Sequence, residues 1–178
     1  EKGGSTLTSR DVLRCELDIV LAARDGRRRH APLNPDYACS PALSGEQRTA
    51  VKEILGSRDT LTLFRGGAGT GKSLALQEVR RGLVAAGHLV IVLAPQRQQA
   101  IELIRSGLPA QTVAQVLARN QIPHRAVVVV DEAGQIGGRQ FRDLIRLVAS
   151  QNGRLILSGD TRQHGAVAGT GIVDRGPA

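Results

Sequence analysis

An α/β fold, with a parallel sheet held between two layers of helices, is predicted by two features of this 178-residue chain. Short β-rich runs at about 60–65, 89–94, 126–131 and 154–159 alternate with helical patterns at about 72–86, 96–106 and 138–151, and a short helix is expected near 112–118. Strands that alternate with helices pair in parallel and need cover on both faces. The run Val127-Val128-Val129-Val130 has no polar alternation, as expected of a strand buried on both sides.

The elements before this alternating region also have local causes. Ser9 can cap a helix to about Arg24, along which Val12, Leu13, Leu17, Val20 and Leu21 keep a helical period. Gly26 ends it, and Arg27-Arg28-Arg29-His30 follows as a basic loop. Pro32, Pro35 and Pro41 mark residues 31–43 as an extended connector. Ser44 opens a second helix of about ten residues, with Glu46 and Gln47 near the capping-box position. The expected organisation is an N-terminal helix, loop and connector over 1–42, one α/β domain over 43–168, and a loose Gly-rich tail over 169–178.

Composition narrows the class. The length suits one domain with one substantial core, and the scarcity of aromatics (one Tyr, two Phe, no Trp) makes that core aliphatic. The absence of Met points to a fragment of a longer polypeptide. No long apolar run or signal pattern is present, so no membrane segment is expected. Cys15 and Cys39 match no zinc spacing, and neither do His30, His88, His124 and His164; a reducing cytoplasm suits the thiols. A net charge of +8 and a pI near 10.9 favour polyanionic partners such as nucleic acid, although a solvated Arg-rich surface would give the same numbers.

The most specific chemical signal is Gly66-Gly67-Ala68-Gly69-Thr70-Gly71-Lys72-Ser73, which satisfies the Walker A pattern between a predicted strand and a predicted helix. Glycines let backbone N–H groups converge on phosphate oxygens, and the helix N-terminus adds a favourable field. Lys72 is suited to the β- and γ-phosphates of ATP, and the Ser73 hydroxyl to Mg²⁺. Val127–Val130 runs directly into Asp131-Glu132, and acids beyond the carboxyl end of a parallel strand face the ligand crevice. Asp131 is suited to hold Mg²⁺ through water, and Glu132 to orient or deprotonate the attacking water. A third strand, Leu155-Ile156-Leu157, leads into Ser158-Gly159-Asp160-Thr161-Arg162-Gln163-His164, where Gln163 could contact the γ-phosphate or the lytic water.

Taken in order, these segments resemble the motor motifs of superfamily 1 DNA helicases. Leu43-Ser44-Gly45-Glu46-Gln47-Arg48 resembles the Q motif, which implies that Gln47 recognises adenine. Ala94-Pro95-Gln96-Arg97-Gln98-Gln99-Ala100 resembles motif Ia, Asp131-Glu132-Ala133-Gly134 motif II, and Gly159-Asp160-Thr161-Arg162-Gln163 motif III. Ala110-Gln111-Thr112-Val113-Ala114 is similar to a further segment near the tracked strand. Over about residues 43–168 the pattern is most similar to the branch that moves 5′ to 3′, which holds RecD-type helicases and the conjugative relaxase-helicases of the TraI/TrwC kind.

The resemblance implies the first of two RecA-like domains, with ATP and Mg²⁺ as cofactors. Single-stranded DNA would cross Pro95, Gln96, Arg97 and Thr112, and a second RecA-like domain would supply an arginine finger. Gln96 stands where the family usually has Thr or Ser. Phe64 reads as core rather than a base-stacking platform. Arg139, Arg142 and Arg146 share one helix face, open to DNA, to the second domain or to solvent. A helicase-like domain that only binds single strands is the alternative; retention of Lys72, Ser73, Asp131, Glu132 and Gln163 argues against it.

Overall fold

A computed structural model describes residues 9–64 and 71–159. Its strands are β1 (Leu61–Phe64), β2 (Val90–Ala94), β3 (Ala110–Thr112), β4 (Val127–Val130) and β5 (Arg154–Ser158). All pair in parallel, in the order β1-β5-β4-β2-β3. The predicted parallel α/β architecture is therefore the observed one.

The helices are α1 (Ser9–Asp25), α2 (Gly45–Gly56), α3 (Lys72–Ala85), α4 (Arg97–Arg105), α5 (Val113–Arg119) and α6 (Gly138–Ser150). The two-residue side-chain period of the strands sorts the core into two layers. Val128, Val130, Leu155 and Leu157 pack with α1, α5 and α6, and Val127, Val129 and Ile156 face α2, α3 and α4. Each central strand must be apolar on both sides, which is why β4 reads as four consecutive valines.

Three helices begin with the same reciprocal device. Gln47 N–H donates to Ser44 Oγ while Ser44 N–H donates to Gln47 Oε1, at 3.2 and 2.8 Å. Thr112 and Gln115 repeat this at the start of α5, and Gln96 N–H donates to Gln99 Oε1 at the start of α4. Each bond satisfies a donor that the helix leaves unpaired, and losing an N-cap side chain costs about 1 kcal/mol.

The N-terminal segment packs on the α/β layers. Ile19 and Ala23 of α1 are buried in the α5–α6 layer, Cys15 Sγ approaches Gly138 O at 3.6 Å, and Arg146 donates to Asp18 Oδ2 at 2.7 Å. The connector is fixed as well: Asn34 Nδ2 donates to Gly82 O, while Tyr37 OH and Ser40 N donate to the buried Glu78 carboxylate.

Two readings gain detail. Residues 110–112, expected only as a segment near the DNA strand, form an edge strand that continues the sheet beside β2. The Arg139–Arg142–Arg146 face stays on the surface, as one of its readings had it, but makes ion pairs there: Arg146 with Asp18 of α1, and Arg142 with Asp143. Phe64 and Phe141 are buried and Tyr37 is half-buried, so the core reading of Phe64 holds.

Candidate nucleotide site

The carboxyl edge of the sheet gathers the residues expected to do chemistry. β1 ends at Phe64, and the chain returns at Gly71 to begin α3 with Lys72 and Ser73. Residues 65–70, which include Gly66, Gly67, Ala68, Gly69 and Thr70, lie outside the described residues, as do Asp160 and Gln163. Gly71 takes the left-handed conformation with φ of 70°, a geometry that suits glycine. A Cβ there would stand 2.6 Å from Gln47 Nε2, which donates to Gly71 O at 3.4 Å. Gln47 is thus held against the start of α3 by its own helix cap and by Gly71.

Lys72 Nζ lies 3.8 Å from Glu132 Oε1, with both side chains partly accessible. The ladder brings Asp131 to this edge, since its N–H donates to Leu93 O at 2.9 Å just past the end of β4. Asp131 Oδ1 then accepts the Glu132 N–H at 3.0 Å. Glu132 itself has φ of 49° and ψ of 42°, the left-handed region that a residue with a Cβ enters at a cost. Strain of this kind concentrates at functional sites, of order 1–3 kcal/mol per residue.

Gly159 supports the same turn. Its φ is 110°, and a Cβ would lie 3.0 Å from Glu132 Cα and 3.3 Å from Ala133 N. Ser158 falls within the β-rich run expected at about 154–159 and is the last residue of β5, aligned with Phe64 and fully buried. Ser73 is exposed on the first turn of α3.

The residues expected to touch DNA also meet. In the β2–β3 register Ala94 aligns with Thr112, so Pro95, Gln96 and Arg97 follow one strand end while Thr112 forms its neighbour. Thr112 Oγ1 accepts the Gln115 N–H and keeps its own proton to donate. Sequence reasoning passed over a link from this corner to the acidic turn: Gln99 Nε2 donates to Gln135 Oε1 at 2.7 Å. Gln135 lies in the 3-10 turn (Ala133–Gln135) that follows Glu132, so this hydrogen bond joins α4 to the turn carrying Glu132.

Comparison with known proteins decides the family. An AAA domain model matches residues 42–175, three quarters of the chain. The chain belongs to the AAA domain family. It is also similar to the multifunctional conjugation protein TraI of Escherichia coli strain K12, 28% identical over 93% of this chain and 10% of that protein. The probable conjugal transfer protein TraA of Sinorhizobium fredii is 27% identical over 88% of this chain and 15% of its own length. TraA of Rhizobium radiobacter is 23% identical over 92% of this chain and 16% of that protein. The AAA domain chain therefore spans about a tenth to a sixth of these relatives. The likeness to TraI-type proteins read from the motifs is borne out by these matches.

Proposed function

We propose that residues 43–168 are the first RecA-like motor domain of a DNA helicase of conjugative transfer, binding ATP with Mg²⁺ and coupling hydrolysis to movement along single-stranded DNA. The observation that carries this reading is the 3.8 Å approach of Lys72 to Glu132, on neighbouring elements at one sheet edge. A cation for the phosphates and a carboxylate for the attacking water are the pair that hydrolysis of a nucleoside triphosphate requires. It favours a hydrolytic motor over a silent strand-binding module.

In this reading Gln47 recognises adenine, and Gly66, Gly67, Ala68, Gly69, Thr70 and Gly71 offer backbone N–H groups to the phosphates. Lys72 holds phosphate charge, Glu132 orients and deprotonates water, and Gln163 reads the γ-phosphate. The donor set fits Mg²⁺: Ser73 and Asp131 supply hard oxygens in small number, as that ion takes beside phosphates and water. The ion would neutralise charge on the phosphates. Pro95, Gln96, Arg97 and Thr112 form the DNA track, with phosphate contacts dominating. The Gln99–Gln135 bond is a physical route by which strand contact could bias the Glu132 turn.

A second RecA-like domain of the same polypeptide would complete the nucleotide cleft, and its arginine finger would add about 10³–10⁵ in rate. Among the described residues no helix is long and apolar enough to cross a membrane. We place the protein in the cytoplasm as part of the proposal. Phosphate release from ATP by the 178-residue chain tests hydrolysis. Slow, Mg²⁺-dependent turnover that Glu132→Gln reduces by about 10²–10⁴ supports the motor. Turnover that Glu132→Gln leaves unchanged supports the strand-binding module.

A further inference from the structure

The opposite edge of the sheet carries a second concentration of charge. At the amino ends of the strands, a cleft of about 460 Å³ is lined by His30, His88, His124, Arg29, Arg125 and Arg154. These residues are scattered in sequence: His88, His124, Arg125 and Arg154 meet because β2, β4 and β5 begin here, and the loop after α1 brings Arg29 and His30, held by the His30 N–H to Arg58 O bond. Among the described residues no carboxylate lines this cleft. The nearby Asp59 carboxylate accepts the Arg28 N–H at 2.7 Å.

Arg154 forms one wall and is 6% exposed. Its guanidinium donates to three backbone carbonyls, Ala31 O, Ser57 O and Asp59 O, at 2.9, 2.6 and 3.0 Å. These bonds take three of its five N–H groups and place no carboxylate against its positive charge among the described residues. Burial lowers its pKa to about 10, and nearby Asp59 opposes that shift. Arg154 therefore stays charged at neutral pH. Desolvation, then the fields of Arg154, Arg125 and Arg29, push the His30 pKa down. His30 and His88 are fixed through Nε2, to Thr60 Oγ1 and to Leu33 O, both at 3.0 Å. The buried guanidinium makes this surface cationic, the fixed rings stand beside it, and Arg29, Arg125 and His124 add exposed donors at its mouth.

We propose that this cleft binds a phosphate oxyanion, at a site separate from the nucleotide edge. Two sources share that chemistry: a free phosphate and the phosphodiester backbone of single-stranded nucleic acid. Guanidinium groups form charge-assisted hydrogen bonds with either, and imidazole N–H groups can donate beside them. The proposal does not depend on ATP binding at the opposite edge.

The test is an NMR titration at pH 6 of the intact isotopically labelled chain, following the ring protons of His30, His88 and His124. Inorganic phosphate and a short oligo-dT are added in separate arms, each repeated with Lys72→Ala to remove competition from the nucleotide site. Saturable movement of these histidines is expected, weakened roughly tenfold or more in the Arg29→Ala/Arg125→Ala double variant. Both substitutions are at exposed side chains, so the fold and nucleotide binding should persist. Displacement of phosphate by oligo-dT at the same histidines identifies a nucleic-acid backbone; response to phosphate alone identifies a free anion. Histidines that stay still with both anions, or move equally in the double variant, would overturn the proposal.

Discussion

Gly159 sits so close to Glu132 that a Cβ on it would lie 3.0 Å from the Glu132 Cα. The end of β5 thereby supports the left-handed turn that orients Glu132 from the end of β4. Gly159→Ala should cost about 1–3 kcal/mol, both because its φ of 110° strains any L-residue and because the neighbouring turn must move. Urea unfolding measures that cost. ATP hydrolysis should fall further than nucleotide affinity, because the turn carries Glu132 rather than Lys72. Equal stability and activity would show that the contact is relaxed.

The N-terminal helix contributes to stability through its apolar side. Ile19 is 2% exposed within the core, whereas the Arg146–Asp18 pair lies on an accessible surface. Ile19→Ala should therefore destabilise the chain by about 2–5 kcal/mol. Asp18→Asn should cost about 0–1 kcal/mol, less in high salt. Urea midpoints for both variants check this. Similar small effects would mean that α1 docks only loosely.

Stability should depend on His30 protonation. Burial and the surrounding arginines hold its native pKa below the ordinary value of 6.5, so the folded state prefers the neutral ring. The unfolded chain then binds more protons as pH falls below 6.5 toward the lowered native value, and stability declines across that interval. The contribution is fully present above pH 6.5. His30→Gln, which can keep a hydrogen bond to Thr60, should flatten the decline in urea midpoint between pH 7.5 and pH 5, roughly the range over which a histidine titrates. A profile identical to the parent would assign the pH dependence to other groups.

Much of the fold was legible because its causes are local. Short aliphatic runs marked β1, β2, β4 and β5, and the spacing from Ser44 to Gln47 marked the start of α2. Strand β3 was not legible: Ala110-Gln111-Thr112 has only three residues and no apolar alternation, and its identity comes from pairing with β2. Lys72, Asp131 and Glu132 could be named from sequence because each sits at a strand–helix junction. Their approach, and the left-handed backbone of Glu132, depend on which strand ends are neighbours. The basic cleft was hidden for the same reason. The spacing of His30, His88 and His124 gives no metal pattern, and their convergence follows from the order of the strands. The Arg face of α6 looked open because composition carries no sign that α1 would cover part of it.

Equilibrium titration of a fluorescent ATP analogue against the 178-residue chain, with and without Mg²⁺ and beside Lys72→Ala, tests the nucleotide site most directly. Saturable, Mg²⁺-dependent binding is expected, weakened about 10- to 100-fold in Lys72→Ala by loss of a charge-assisted contact. Binding that is equal in both chains and indifferent to Mg²⁺ would contradict a P-loop motor built around Lys72.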